Sequence, residues 1–173
     1  AIKRCGYDGI FFYGASARPV YFCMHKGRPE LRDAAELWGR DTLETEKRLK
    51  KEPGCKHARI ACIGPAGENL VKYACIMNDL KHAAGRTGLG AVMGSKRLKA
   101  IVVDAAGAAD LPIADESLYR ESARRFSREL IESPKTGKEG SMHLYGTSAI
   151  LLPVNEIGAL PTRNFSEGTF EGA

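Results

Sequence analysis

No stretch of this sequence approaches the roughly 18–20 consecutive apolar residues that a membrane-spanning helix requires, so no such span is expected. No charged-then-apolar leader precedes the first elements either. The chain opens Ala1-Ile2-Lys3-Arg4-Cys5, without a methionine, as expected of a fragment or a processed chain. Cysteine is scarce and odd in number. Cys5, Cys23, Cys55, Cys62 and Cys75 offer no CxxC pair and so no zinc or iron–sulfur run. Reduced thiols are expected, with Cys62 and Cys75 in apolar runs that suit a core, in a cytoplasmic protein. His25, His57, His82 and His143 share no metal-ligand spacing, and no Ser-His-Asp set or carboxylate pair is visible. Internal repeats and low-complexity tracts are missing too.

What is present is a globular composition. The 173 residues are 43% hydrophobic and 27% charged, enough to bury a core. Lys plus Arg outnumber Asp plus Glu by 26 to 21, a net charge of +5 that favours anionic ligands without by itself indicating nucleic acid.

The apolar run Gly9–Gly14 predicts a buried strand, paired as a hairpin with a second strand over Pro19–Met24 through Ala15-Ser16-Ala17-Arg18. Lys26-Gly27-Arg28-Pro29 signals a turn. Ala34–Trp38 reads as a short helical piece. Asp41, with Glu44 three residues on, starts a helix that stops at Pro53-Gly54. Strands are expected over Arg59–Ile63, Leu70–Met77 and Ala100–Val103, with a Pro/Gly loop at Gly64-Pro65-Ala66-Gly67 and a helix from Leu89 to Lys96. Asp104–Asp110 has the small residues of a linker. Beyond it, Asp115 caps a helix to about Ser133, whose Arg120, Arg124, Arg125 and Arg128 form a solvated face. Thr147 is expected to cap a further helix that Pro153 kinks or ends, before a loop-like tail from Gly158. The pattern predicts α+β: a mixed β-sheet base domain with short helices over residues 1–110, then the first helices of a mostly α domain over 111–173.

The least ordinary segment runs from Asn78 to Lys96. Its glycines permit φ > 0 and close approach of backbone N–H groups to an anion, and Lys81, Arg86 and Lys96 add positive charge. Two familiar phosphate motifs fail. Gly90-Ala91-Val92-Met93-Gly94-Ser95-Lys96 has one residue too few for a P-loop and its Ser precedes the Lys. Gly85, Gly88 and Gly90 give the dinucleotide fingerprint in mirror order. An anion-binding backbone loop over 83–94 survives, beside the plain alternative of a tight strand-to-helix turn that binds nothing.

Ile63-Gly64-Pro65-Ala66-Gly67-Glu68-Asn69-Leu70, followed by Ala83-Ala84-Gly85-Arg86-Thr87-Gly88-Leu89-Gly90-Ala91-Val92-Met93-Gly94-Ser95-Lys96, resembles the tungsten-dependent aldehyde:ferredoxin oxidoreductase family in order and spacing. Shorter matches extend along nearly the whole chain: Gly6-Tyr7-Asp8, Pro19-Val20-Tyr21, Trp38-Gly39, Glu44-Thr45-Glu46, Tyr145-Gly146-Thr147 and Leu160-Pro161-Thr162-Arg163-Asn164-Phe165. The resemblance implies the second half of a metal-pterin-binding N-terminal β-sheet domain plus the start of a helical domain, from a longer chain. It implies oxidation of aldehydes to carboxylates by a tungsten (or molybdenum) bis-pterin cofactor. Electrons would pass through a [4Fe–4S] cluster to ferredoxin, and the cluster's ligands would lie in a part not present here. His82, Ala83, Gly85 and Arg86 would then bind the cofactor, the backbone of Ala83 holding a magnesium ion that bridges the pterin phosphates. His82 stands where the family often carries Arg, so its charge depends on pH. No catalytic residue is assigned, and the isolated 173-residue chain is expected to be inactive. A small-molecule aldehyde and ferredoxin are the implied partners, nucleic acid and membrane are not, and homo-oligomerisation stays open. The rival reading is a non-catalytic anion- or nucleotide-binding module that uses the same Gly-rich loop 83–94.

Overall fold

The computed structural model describes residues 1–107 and 111–172, in two compact units, 1–111 and 112–173. The first is built on a six-stranded mixed sheet in the order β2-β1-β6-β3-β4-β5. Its strands are β1 (Val20–His25), β2 (Arg28–Asp33), β3 (Arg59–Cys62), β4 (Ile76–Asn78), β5 (His82–Ala84) and β6 (Leu98–Asp104). Only β1 and β6 run parallel; the other neighbours are antiparallel. Helices α1 (Thr42–Leu49), α2 (Pro65–Glu68) and α3 (Leu89–Ser95) lie between the strands in sequence. The fold is therefore α+β.

The strand period of two sends alternate side chains to opposite faces, and both faces are covered. Tyr21 and Cys23 of β1, Ile60 and Cys62 of β3, and Ala100 and Val102 of β6 join Leu37, Leu49 and Cys55 in one core. Phe22 and Met24 of β1 and Leu98 and Val103 of β6 join Ile63 and Met93 in the other. This is why β1 and β6 are apolar on both sides over Val20–Met24 and Ala100–Val103. Helix α1 forms where the Asp41 cap predicts it, with the Asp41 carboxylate accepting from the Glu44 N–H at 2.7 Å.

Several expectations for this unit are overturned. Gly9–Gly14 is not a strand: it carries no regular structure, and Phe11 and Tyr13 are 83% and 89% exposed. Its alternate residues Ile10 and Phe12 do pack, Phe12 edge-on against Phe22 at 5.4 Å, so the apolar run supplies cover to the sheet. The hairpin partner of β1 is instead β2. Lys26 and Gly27, both with positive φ, make the two-residue turn that matches strand twist. Strand β2 escapes a hydrophobicity pattern because it is an edge, Arg-Pro-Glu-Leu-Arg-Asp, kept polar where no neighbour covers it. Leu70–Met77 is strand only at its end, over Ile76–Asn78. Leu70 has φ 58°, and turns closed by Val71 N–H to Ala66 O (2.9 Å) and Ala74 N–H to Val71 O (2.9 Å) occupy the rest. Pro65–Glu68 is a helical turn rather than a loop, with Pro65 in the first turn where its missing N–H is not needed. The expected linker also starts later, since Asp104 closes β6 and is buried; residues 108–110 lie outside the described part. Of the two cysteines expected in the core, Cys62 is buried and Cys75 only half-buried.

The second unit holds α4 (Glu116–Glu132), α5 (Ser141–Tyr145) and α6 (Leu151–Glu156). Asp115 caps α4 as expected, accepting from Leu118 N–H at 2.9 Å, and the four Arg of α4 are exposed. Thr147 caps nothing: residues 146–150 form a 3-10 helix without a side-chain cap. Pro153 neither kinks nor ends α6, because it falls in the first turn. The tail makes one isolated bridge, Thr162 to Glu167.

Candidate cofactor-binding segment

The segment singled out by sequence begins at the β4–β5 hairpin. Asp79 and Leu80 at its tip both take positive φ (48° and 56°), and Lys81 N–H closes the turn on Asn78 O at 3.1 Å. Asp79 pins this tip to β3. Its carboxylate accepts from Ile60 N–H (2.9 Å) and Arg59 Nη1 (3.1 Å), while its own N–H donates to Ile60 O (2.8 Å). The side chain thus completes a ladder that β4 is too short to make.

Strand β5 is the outer edge of the sheet, so one side of its backbone has no strand partner. His82 and Ala83 are exposed on it. Gly85, Arg86 and Thr87 follow, also exposed. The structure therefore brings His82, Ala83, Gly85 and Arg86 into one continuous surface. No carboxylate occurs between Asp79 and Asp104, while Lys72, Lys81, His82 and Arg86 are all exposed, so the local charge is positive.

The glycines of the motif divide into two groups. A Cβ on Gly88 would stand 1.8 Å from Lys72 O, on Gly90 2.6 Å from Cys75 O, and on Gly94 1.9 Å from Gly67 O. A Cβ on Gly67 would in turn stand 2.9 Å from Gly90 O. Gly67, Gly90 and Gly94 let α2 and α3 meet backbone to backbone, Gly88 and Gly90 let the start of α3 sit on residues 72–75, and Gly90 N–H donates to Ala74 O at 2.9 Å. Gly88, Gly90 and Gly94 are consequently taken up by packing, while Leu89 and Val92 of the same stretch stay exposed. Gly85 is the exception. Its φ of −97° suits any residue, and the nearest atom to an added Cβ is Cys75 Cβ at 4.0 Å. Conformation does not require glycine there, and the free backbone fits close approach by an outside group.

A buried polar network joins α2 to the sheet. Lys99 is fully buried on β6; its ammonium donates to Arg40 O at 2.7 Å and pairs with the Glu68 carboxylate. The other Glu68 oxygen accepts from Gly39 N–H at 2.8 Å. The pair ties α2 to the sheet and to the Trp38–Arg40 bend, which accounts for Glu68 within Gly64–Asn69 and for Trp38-Gly39. A lone Lys in the apolar run Leu98–Val103 is the signal that could have found it. Cys62, nearby in the same core, has its thiol pushed up to about 11, chiefly by burial.

Among the described residues no cluster of His, Cys, Asp and Glu could hold a metal ion through side chains, and no helix is long and apolar enough to cross a membrane. What segment 82–87 presents to its surroundings is edge backbone and positive charge.

Residues 1–105 match the family model for the aldehyde ferredoxin oxidoreductase N-terminal domain. The tungsten-containing aldehyde ferredoxin oxidoreductase of Thermococcus kodakarensis is 48% identical over 172 residues, which is 99% of this chain and 28% of that protein. The Pyrococcus furiosus enzyme of the same description is 44% identical over 169 residues (98% and 27%). An aliphatic sulfonate oxidoreductase, WOR-like subunit, of Pyrococcus furiosus is 38% identical over 180 residues (96% and 28%). In three dimensions the chain resembles the active site complex BamBC of benzoyl coenzyme A reductase, with TM-score 0.69 and 41% identity over 74% of this chain and 19% of that one. The chain thus spans little more than a quarter of the length of the curated relatives it matches. It belongs to the aldehyde ferredoxin oxidoreductase family.

Proposed function

We propose that this chain is the part of a cytoplasmic, tungsten-dependent, aldehyde-oxidising enzyme that holds the phosphate end of a metal–bis-pterin cofactor. The observation that carries the proposal is the edge His82–Thr87, positively charged and exposed at every residue but Ala84, in a family whose members include proteins described as tungsten-containing. When bound, the cofactor would supply the two-electron redox chemistry that turns an aldehyde into a carboxylate. The chain's own residues bind and orient. The Ala83 carbonyl, on the unpartnered edge, would ligate a magnesium ion between the pterin phosphates. The Gly85 backbone would lie against the pterin or its phosphate, and Arg86 and protonated His82 would offset phosphate charge.

No residue here is assigned an acid–base step, and the [4Fe–4S] cluster and the ferredoxin contact belong to the remainder of the polypeptide. The isolated 173-residue chain accordingly has no aldehyde oxidation activity with a viologen acceptor. The test is metal analysis of the full-length polypeptide that carries this segment, purified without oxygen. Tungsten or molybdenum together with iron supports the proposal. Neither metal, with nucleotide bound instead, would establish the rival anion-binding module.

A further inference from the structure

We propose that Cys23 and Cys55 are a thiol–disulfide modification site: a dithiol that a small-molecule disulfide converts to an intramolecular crosslink between β1 and the turn leading into β3. Of the five cysteines these two alone face each other, with Sγ atoms 3.9 Å apart and no exposure of either residue. The remaining thiols meet other groups: Cys5 meets Asp104 O, Cys62 meets Thr42 O, and Cys75 meets the Met77 sulfur.

The approach is imposed by the surrounding structure. Cys55 sits in a turn closed by its own N–H on Glu52 O and by Ala58 N–H on Cys55 O, both at 3.0 Å. One residue earlier, Gly54 takes φ 78°, and a Cβ there would stand 2.8 Å from His25 Nδ1. The turn is therefore pressed onto β1 at two adjacent points, Gly54 on His25 and Cys55 on Cys23. His25 is itself fixed by a 2.9 Å bond from Nδ1 to the buried Asp104 carboxylate of β6. Closing the S–S bond to about 2.05 Å asks each sulfur to move by roughly 0.9 Å, within reach of side-chain rotation.

The chemistry balances by exchange. The Cys55 thiolate attacks one sulfur of the small disulfide, breaks its S–S bond and releases one small thiol. Cys23 then attacks the Cys55 sulfur, forms the protein S–S bond and releases the second. The protein dithiol loses two electrons and two protons, and the small disulfide gains them as two thiols. Burial raises both thiols, that of Cys23 to about 12, so little thiolate exists while the turn is closed. Exchange therefore proceeds when the 52–58 turn opens or during folding, and is slow in the closed fold.

The full chain is equilibrated with defined ratios of oxidised and reduced glutathione, quenched in acid, alkylated under denaturing conditions and mapped by mass spectrometry. The expected result is one linked pair, Cys23 with Cys55, while Cys5, Cys62 and Cys75 carry the alkyl label. The crosslink closes a loop of about 30 residues and raises the thermal midpoint over the reduced chain by on the order of 10 °C. In Cys55→Ala the rise is absent. If that variant fails to fold, the peptide map of the unsubstituted chain decides alone. Cys23 and Cys55 both alkylated at every ratio, or either one linked to a different cysteine, overturns the proposal.

Discussion

Replacing Gly94 with alanine tests whether the glycine motif serves packing. The added Cβ would lie 1.9 Å from Gly67 O, where ordinary contacts begin at 3.4 Å. The α2–α3 separation must then open by about 1.5 Å along that contact, against a backbone carbonyl that cannot rotate away. Helix propensity favours the alanine by about 1 kcal/mol, and overpacking opposes it by about 1–3 kcal/mol or more where backbone meets backbone. The net expectation is a loss of about 1–2 kcal/mol, a fall in Tm on the order of 5 °C in the full chain. Gly85→Ala is the internal control: the nearest atom is 4.0 Å away and φ is −97°, so its Tm stays within about 1–2 °C of the parent. Thermal unfolding followed by circular dichroism reads both. A Gly94→Ala chain as stable as the Gly85→Ala chain would refute the division of the motif into a packed half and an open half.

Two further outcomes follow from buried and capped charges. Lys99→Met leaves the Glu68 carboxylate buried without its cation and is expected to destabilise by about 3–5 kcal/mol in urea unfolding. Lys99→Met combined with Glu68→Gln recovers at least half of that, whereas additive losses would contradict the pairing. Asp115 has its pKa lowered from 3.8, first by the Leu118 N–H it accepts, so the capped fold binds the proton less readily than the unfolded chain. Its contribution to α4 is complete above about pH 4 and is lost as pH falls through the depressed folded value. Hydrogen exchange of the Leu118 amide should accelerate only in that acid window. In Asp115→Asn, which keeps the cap without the charge, the acid-specific change should vanish.

How far the sequence reveals this molecule depends on whether a feature is local. Asp41 and Asp115 announce their helices because a cap is a contact across three residues. Strands β1 and β6 are legible because burial on both faces makes Val20–Met24 and Ala100–Val103 apolar, the buried Lys99 and Asp104 of β6 being exceptions. Strand β2 is not, because an exposed edge is chosen for polarity. The run Gly9–Gly14 misleads because Ile10 and Phe12 cover a sheet without joining it. The candidate site was legible as a motif, through the order of Gly64–Leu70 and Ala83–Lys96, and the structure places the first part of that motif on an exposed edge. The distribution of work among its glycines was not legible. Gly85 and Gly88 look alike in sequence, and only the Lys72 carbonyl at 1.8 Å from a Cβ on Gly88 separates them. The Lys99–Glu68 pair joins residues 31 positions apart; the lone Lys in an apolar run flags one member, but no local pattern names its partner.

The central claim concerns the open half of the motif, and Gly85→Val addresses it most directly. Tungsten per polypeptide is measured by elemental analysis in the full-length enzyme and in this variant, both purified without oxygen, beside their circular dichroism. The expected result is a fold unchanged, because the β-branched side chain points into space, with tungsten content reduced several-fold because the backbone can no longer be approached. Full tungsten occupancy in a folded Gly85→Val enzyme would contradict the assignment of residues 82–87 to the cofactor.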